Sequence, residues 1–114
     1  MLVYKILTST QWAALQRAGE SPGVPVDLAD GFVHFSTGSQ VAATAAKHFA
    51  GQAGLMLLAV DAERLGEALK WEPSRGGDPF PHLYAALRLA DVAWSRPLPL
   101  APNGTHVFPA EVGK

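Results

Sequence analysis

The sequence predicts a single α+β domain over residues 1–114, in which a few helices pack on a mixed sheet. Its length is that of one ordinary domain. Its composition, 48% hydrophobic and 17% charged, is typical of a globular chain that buries a core. Helix-like stretches come early in the chain, and strand-like stretches cluster late. A doubly wound parallel sheet would instead need strands and helices to alternate throughout.

Glycine, proline and capping residues divide the first half of the chain into short elements. Gly19 follows the first helix-like stretch as a C-cap, and Ser36 or Thr37 is placed to cap the second. Asp30-Gly31 is a turn signal before a short strand. The predicted elements are a strand over 2–7, a helix over 11–17, a loop over 20–30, a strand over 32–35 and a helix over 39–49.

The second half contains the most apolar segment of the chain. The run Leu55-Met56-Leu57-Leu58-Ala59-Val60 has no polar interruption, which is typical of a strand buried on both faces. Asp61 is placed to cap a short helix after it. The remaining predicted elements are that helix to about 68, a strand over 69–73, a loop over 75–79, a strand over 87–94, and an irregular tail with one further strand near 105–108.

Composition and charge exclude several classes of function. The chain has no cysteine, so it contains no disulfide, thiolate metal site or cysteine nucleophile. Its formal net charge is −1 and its basic residues are scattered, which argues against duplex nucleic acid as a partner. The apolar runs are too short to cross a bilayer, and the opening segment lacks the apolar core of a secretory signal. We therefore expect a cytoplasmic protein with no membrane partner.

A histidine, a serine and a glutamine surround the end of the predicted strand over 32–35. His34 and Ser36 are two residues apart, so they point to the same face of an extended segment. Gln40 follows in the next helix, whose N-terminus suits an anion such as a phosphate. The structural alternative makes His34 a hydrogen-bonded core histidine and Ser36 an N-cap. The residues alone leave both interpretations open.

A second group of polar residues lies around the loop over 75–79. Glu72 follows Trp71 at a strand end, and a carboxylate beside an aromatic ring can have a raised pKa, as a general acid needs. His82 and Tyr84 share a face if their segment is extended. The structural alternatives are a surface glutamate and a histidine packed in a turn.

A metal centre is not expected. The histidines show no His-x-x-x-His or His-Glu-x-x-His spacing, and His34 and His48 fall on different predicted elements. Neither a Gly-x-Gly-x-x-Gly motif nor a P-loop is present. The sequence therefore predicts no metal cofactor and neither of these two phosphate loops.

Four stretches of the chain occur in a combination that carries a resemblance. They are Tyr4-Lys5-Ile6, Asp30-Gly31-Phe32-Val33-His34-Phe35-Ser36, Lys70-Trp71-Glu72 and Phe80-Pro81-His82-Leu83-Tyr84. Together they resemble the bacterial family called "domain of unknown function 952", over nearly the whole chain. That family is small and single-domain, it has no established activity, and its fold is grouped with the ADP-ribosyltransferases.

A more distant likeness agrees with this. Val33-His34-Phe35-Ser36, the helix after it and the segment 57–65 resemble a stretch of the NAD-using RNA 2′-phosphotransferases. His34 and Ser36 match the second histidine and the serine of the His-Val-His-Leu-Ser strand in those enzymes. The resemblance implies an ADP-ribosyltransferase-like fold, a split and strongly bent mixed sheet with NAD in its cleft. Those enzymes open with a His-Gly-Thr strand, where this chain has Tyr4-Lys5-Ile6-Leu7-Thr8.

The resemblance implies a transferase that uses NAD or an ADP-ribose-type nucleotide, with a cleft around His34 and His82. It implies the catalytic residues His34, Glu72 and His82, and the cofactor-binding residues Ser36, Gln40 and Tyr84. One alternative is a non-catalytic module that binds a small ligand, which the missing His-Gly-Thr strand favours. Another is an interaction protein on the same fold, whose histidine motifs are structural.

Overall fold

A computed structural model describes residues 1–113, with the backbone alone at Arg75. It confirms an α+β protein. In chain order the strands and α-helices are β1 (Leu2–Thr8), α1 (Ser9–Ala18), β2 (Glu20–Ser21), α2 (Pro25–Asp30), β3 (Val33–His34), α3 (Val41–His48), β4 (Leu55–Asp61), α4 (Ala62–Leu65), β5 (Leu69–Ser74), β6 (Asp78–Leu83), β7 (Leu87–Arg88) and β8 (Val92–Leu98). Short 3₁₀ turns cover Gly66–Ala68, Arg75–Gly77 and Leu89–Asp91.

Strand β4 lies at the centre of the first sheet, between β1 and β8. Its side chains alternate between two apolar clusters. Leu58 and Val60 pack in the cluster that also holds Leu15, whereas Leu57 and Ala59 pack in the cluster that holds Val41. The prediction that this run is buried on both faces is confirmed.

The second sheet has the order β3-β6-β5, and its two faces differ in polarity. Val33 pairs with Leu83, which pairs with Leu69 on its other side, and this row packs against the first apolar cluster. The adjacent row is polar: its members are His34, His82 and Lys70. Because neighbouring residues of a strand point to opposite faces, the polar row lies on the face turned away from that cluster.

The chain crosses from one sheet to the other immediately after β3. Phe35 N–H donates to the carbonyl oxygen of Pro81 in β6 at 3.0 Å. Ser36 then exchanges two backbone hydrogen bonds with Tyr4 of β1, at 2.7 and 2.9 Å. This crossing brings β1 beside the polar face of the second sheet.

Every strand pairing between described residues is antiparallel, so the expectation of a mixed sheet is wrong. Three antiparallel sheets are present in residues 1–113, the third being the short pair β2-β7. The physical reason for the error is that apolar alternation looks the same in parallel and antiparallel strands. Strand direction therefore has to come from the connections, which the pattern does not reveal.

The segment 20–30, predicted to be a loop, contains a strand and a helix. Pro25 stands in the first turn of α2, where a missing N–H is tolerated. Gly31 ends the helix with a φ of 87°, a conformation that suits glycine. The proline and glycine that suggested a loop are therefore the start and stop signals of a short helix.

Helix α3 begins at Val41, two residues later than predicted, and neither Ser36 nor Thr37 caps it. The residues before it form a separate turn. In that turn Thr37 N–H donates to Gln40 Oε1 at 3.0 Å. The amide oxygen of Gln40 thus stabilises the turn rather than a helix terminus.

Three predictions in the second half also change. The strand predicted over 87–94 is interrupted by the turn at Leu89–Asp91, where the buried Asp91 carboxylate accepts hydrogen bonds from Arg88. The loop predicted over 75–79 is shorter, because β6 begins at Asp78. The predicted late strand near 105–108 is reduced to a bridge between Leu100 and His106.

None of the helices in the described part of the chain is long and apolar enough to span a bilayer.

Candidate functional site

A cleft of about 540 Å³ opens where β1 meets the polar face of the second sheet. Such a volume falls in the range of small-molecule sites. The strands contribute Lys5, His34 and His82 to its lining, and Ser36 lies at their junction. Helix α3 contributes Lys47, among other residues.

The two histidine motifs, distant in sequence, meet in this cleft. His34 in β3 pairs directly with His82 in β6, and their ring centroids lie 5.5 Å apart in an edge-on arrangement. Phe32 stacks on the His82 ring with a centroid distance of 4.0 Å and an interplanar angle of 25°. Paired strands and an aromatic stack therefore fix both imidazoles.

His34 is held between two carboxylates of α2. Its Nδ1 lies 2.6 Å from Asp27 Oδ1, and its Nε2 lies 2.9 Å from Asp30 Oδ2. Its side chain is 32% exposed, so it is neither a fully buried core histidine nor a free surface group. With both ring nitrogens facing carboxylates, His34 is positioned as a binding or structural group.

Asp27 is a site residue that the sequence did not reveal. Its carboxylate is inaccessible to solvent and pairs with the ammonium of Lys5, whose side chain is also buried, at 3.0 Å. It also accepts the backbone N–H of Val24 at 2.9 Å and that of His34 at 3.0 Å. The His34 ring is the fourth donor, after the Lys5 ammonium and the two backbone amides. Four donors fill the roughly four lone-pair sites of a carboxylate.

The charges of this buried pair shift each other's protonation. Burial alone would raise the pKa of Asp27, but the Lys5 ammonium and the hydrogen bonds from His34 and Val24 outweigh it and lower that pKa. Burial lowers the pKa of Lys5, and Asp27 opposes this only in part. The pair and its hydrogen bonds connect β1, α2 and β3 at the base of the cleft.

The local sequence explains why Asp27 reaches this position. Gly23 has a φ of 126°, and a Cβ added there would lie 2.5 Å from the Asp27 Cβ, so a side chain at this position would collide with it. Pro25 then starts α2. A proline followed two residues later by an aspartate is a signal for the start of a helix. The same proline and the nearby glycine also favour a loop, which is the structure that the sequence predicts for this segment.

Glu72 lies in the middle of β5, where it contacts His82 but is not itself part of the cleft lining. Its Oε1 lies 2.8 Å from His82 Nδ1 and accepts the Tyr84 hydroxyl at 2.7 Å. These hydrogen bonds, first from Tyr84 and then from His82, lower the pKa of Glu72. The expectation of a raised pKa is therefore wrong: Trp71 points to the opposite face of β5, and two donors stabilise the charged carboxylate.

The Glu72 contact leaves the other nitrogen of His82 available. A carboxylate only accepts hydrogen bonds, so Nδ1 of His82 carries the proton in this contact. Nε2 makes no hydrogen bond to any residue in the described part of the chain, and no buried side-chain polar atom there lacks a partner. Because His82 is only 5% exposed and lines the cleft, we infer that Nε2 is open to the cleft.

The predicted site residues do not all reach the cleft. His34, His82 and Ser36 line it, and the Ser36 hydroxyl hydrogen-bonds the Thr44 hydroxyl at 2.8 Å. The other three predicted residues, Gln40, Glu72 and Tyr84, are not part of the lining. Gln40 instead donates to the carbonyl oxygen of Pro79 at 2.9 Å and joins the turn before α3 to β6.

Tyr84 lies beside the histidines without facing the cleft. Its ring centroid is 5.3 Å from that of Phe32, and the residue is about half exposed. The hydrogen bond to Glu72 raises the pKa of its hydroxyl. Its contacts therefore support the Glu72–His82 pair.

Within residues 1–113, no group of three or more histidine, aspartate or glutamate side chains is arranged to hold a metal ion. The expectation of no metal cofactor stays a prediction.

The comparisons with known proteins identify the family. The model of a family described as "Protein of unknown function (DUF952)" matches residues 6–95. The chain belongs to this family. No curated protein matches the chain.

Two solved structures of protein CC0527 from Caulobacter crescentus have the same fold. The crystal structure is 52% identical to this chain, with a TM-score of 0.90, and the match covers 94% of each chain. The solution NMR structure is 54% identical, with a TM-score of 0.83, and the match covers 91% of this chain and 90% of the other. These two structures of one similar protein support the fold described above.

Proposed function

We propose that this DUF952 protein is a transferase that binds NAD or an ADP-ribose-type nucleotide in the cleft around His34 and His82. The observation that carries the proposal is the direct pairing of these two histidines across β3 and β6, inside a cleft of nucleotide-compatible size. Two antiparallel sheets meet where Ser36, just after β3, pairs with Tyr4 of β1. Two sheets joined in this way are compatible with an ADP-ribosyltransferase-like architecture.

In this proposal His82 is the catalytic base and Glu72 positions it. Nε2 of His82 accepts the proton of an acceptor hydroxyl or water. The acceptor oxygen bonds to C1′ of the ribose as the bond from C1′ to nicotinamide breaks, and nicotinamide leaves neutral with the electron pair. Glu72 holds the imidazole through Nδ1 and stabilises the imidazolium, as the carboxylate of a hydrolase triad does.

The cations of the cleft support a phosphate-bearing ligand. Lys47 lines the cleft and makes no ion pair with another described residue, so its ammonium is available to a phosphate. Lys5 uses two of its three N–H donors on Asp27 and the His34 carbonyl oxygen. Ser36 adds a hydroxyl to the same wall.

A non-catalytic module that binds such a nucleotide is the second candidate. It is favoured by His34, whose two ring nitrogens are occupied by Asp27 and Asp30. Glu72, the carboxylate a transferase would use near the ribose, is absent from the lining of the cleft. If the protein is such a module, the bound nucleotide stays intact.

Calorimetric titration with NAD and with ADP-ribose, followed by chromatography after long incubation, tests both candidates. We expect saturable binding and slow release of nicotinamide from NAD, with His82→Ala losing the release while retaining binding. His106→Ala is the matched control, because His106 contacts the carbonyl oxygen of Gln52 and does not line the cleft. Intact NAD after binding supports the second candidate, and absence of binding refutes both.

A further inference from the structure

Asp30 is a carboxylate of the cleft with unused hydrogen-bonding capacity. It is the last residue of α2, it lines the cleft, and its side chain is 50% exposed. Its Oδ2 faces Nε2 of His34 at 2.9 Å, which fixes its orientation. No other hydrogen bond joins its side chain to a described residue, so most of its lone-pair sites are available to a ligand.

The other carboxylate of the cleft cannot take this role. Asp27 has both oxygens filled by four donors and is sealed from solvent. A ligand that enters the cleft therefore meets one open carboxylate, that of Asp30. An acceptor-only group of this kind selects ligand groups that donate hydrogen bonds, and it repels phosphate.

We propose that Asp30 is a specificity residue that binds the vicinal hydroxyls of a ribose, with the phosphate directed away from it. The proposal rests on the nucleotide cleft proposed above and narrows its ligands to those with an intact 2′,3′-diol. Two hydroxyls suit a carboxylate because each of its oxygens accepts one O–H, and the His34 contact holds the carboxylate in place for both. The same pairing of an acidic residue with ribose hydroxyls recurs in dinucleotide-binding domains.

NMR titrations with AMP and with 2′,3′-dideoxy-AMP test this proposal, because AMP is a small nucleotide that carries both the diol and a phosphate. We expect the wild-type chain to bind AMP roughly 10- to 100-fold more tightly than the dideoxy analogue, the effect of losing hydrogen bonds to a charged group. In Asp30→Asn this ratio should fall several-fold, because hydrogen bonds to a neutral amide are weaker than those to a carboxylate. The substitution keeps an oxygen that accepts from His34, so it leaves the histidine supported.

Glu67→Gln is the matched control, since Glu67 is exposed, its side chain makes no hydrogen bond with a described residue, and it lies outside the cleft lining. It should keep the wild-type ratio. A wild-type chain that binds both nucleotides equally, or fails to bind AMP, overturns the assignment of Asp30. So does an unchanged ratio in Asp30→Asn. Binding of NAD or ADP-ribose in those cases leaves the proposed function standing, so the two failures are distinguishable.

Discussion

At the scale of single residues, the buried pair of Lys5 and Asp27 shows how a charge is kept in the interior of this small protein. A buried carboxylate is tolerated only when its lone pairs are occupied and its charge is balanced. Both conditions are met here by one ammonium, one imidazole and two backbone amides. The pair fixes His34, and through it one wall of the cleft.

Removing one partner of this pair is expected to be costly. Asp27→Ala should lower the free energy of unfolding by about 3–5 kcal/mol, because it leaves the Lys5 ammonium buried without a counter-charge. Urea denaturation measures the loss. The double variant Lys5→Met/Asp27→Ala removes both charges and should be more stable than Asp27→Ala alone. A double variant at least as unstable as the single one would contradict the charge-balance account.

Glu72 gives a pH-dependent prediction. Its pKa is lowered in the folded state, first by Tyr84 and then by His82, so its contribution is fully present above the ordinary value of 4.5 and is lost as the pH falls through the lowered pKa. Glu72→Gln should therefore be less stable than wild type at neutral pH, with a gap that narrows below about pH 4.5. Urea denaturation between about pH 3 and pH 7 measures it. A gap that does not change with pH would show that Glu72 contributes no charge-dependent stability.

At the scale of elements, α1 begins with a reciprocal cap. The Thr8 hydroxyl accepts the N–H of Gln11 at 3.1 Å, and the Gln11 side chain accepts the N–H of Thr8 at 2.9 Å. This capping box satisfies two backbone donors where β1 passes into the helix. Gln11 also lines the cleft, so the same hydrogen bonds hold its side chain in place at the edge of the cleft.

Thr8→Ala should destabilise the chain by about 1 kcal/mol, the usual cost of losing an N-cap side chain. Thermal or urea unfolding measures the change. Ser9→Ala is the matched control, because Ser9 is exposed and makes no side-chain hydrogen bond with a described residue. Equal effects of the two substitutions would argue against a capping role for Thr8.

At the scale of the whole molecule, the sequence predicts the α+β class and the buried strand β4. These features follow from local periodicity and from the side-chain alternation of strands. The direct pairing of the two histidines across β3 and β6 depends on which strands are neighbours. The residue pattern alone does not predict it, whereas the family resemblance implies a cleft that contains both.

Other features depend on tertiary contacts that local patterns do not contain. Strand directions were mispredicted because alternation carries no information about them. The role of Asp27 does not follow from the sequence pattern, because the prolines and glycine around it also favour a loop, whereas the segment forms α2. The neighbouring Trp71 predicts a raised pKa for Glu72, but hydrogen bonds from Tyr84 and His82, which lie ten or more residues away in the sequence, lower it.

The central claim is that the two histidine motifs form one nucleotide-binding cleft, and an NMR titration of the labelled protein tests it most directly. NAD, ADP-ribose and nicotinamide are added separately while backbone amide and imidazole resonances are followed. The account predicts saturable shifts with ADP-ribose that cluster at His34, Ser36 and His82, and none of comparable size at His106. Absence of shifts at millimolar ligand, or shifts confined to residues outside the cleft, would contradict it.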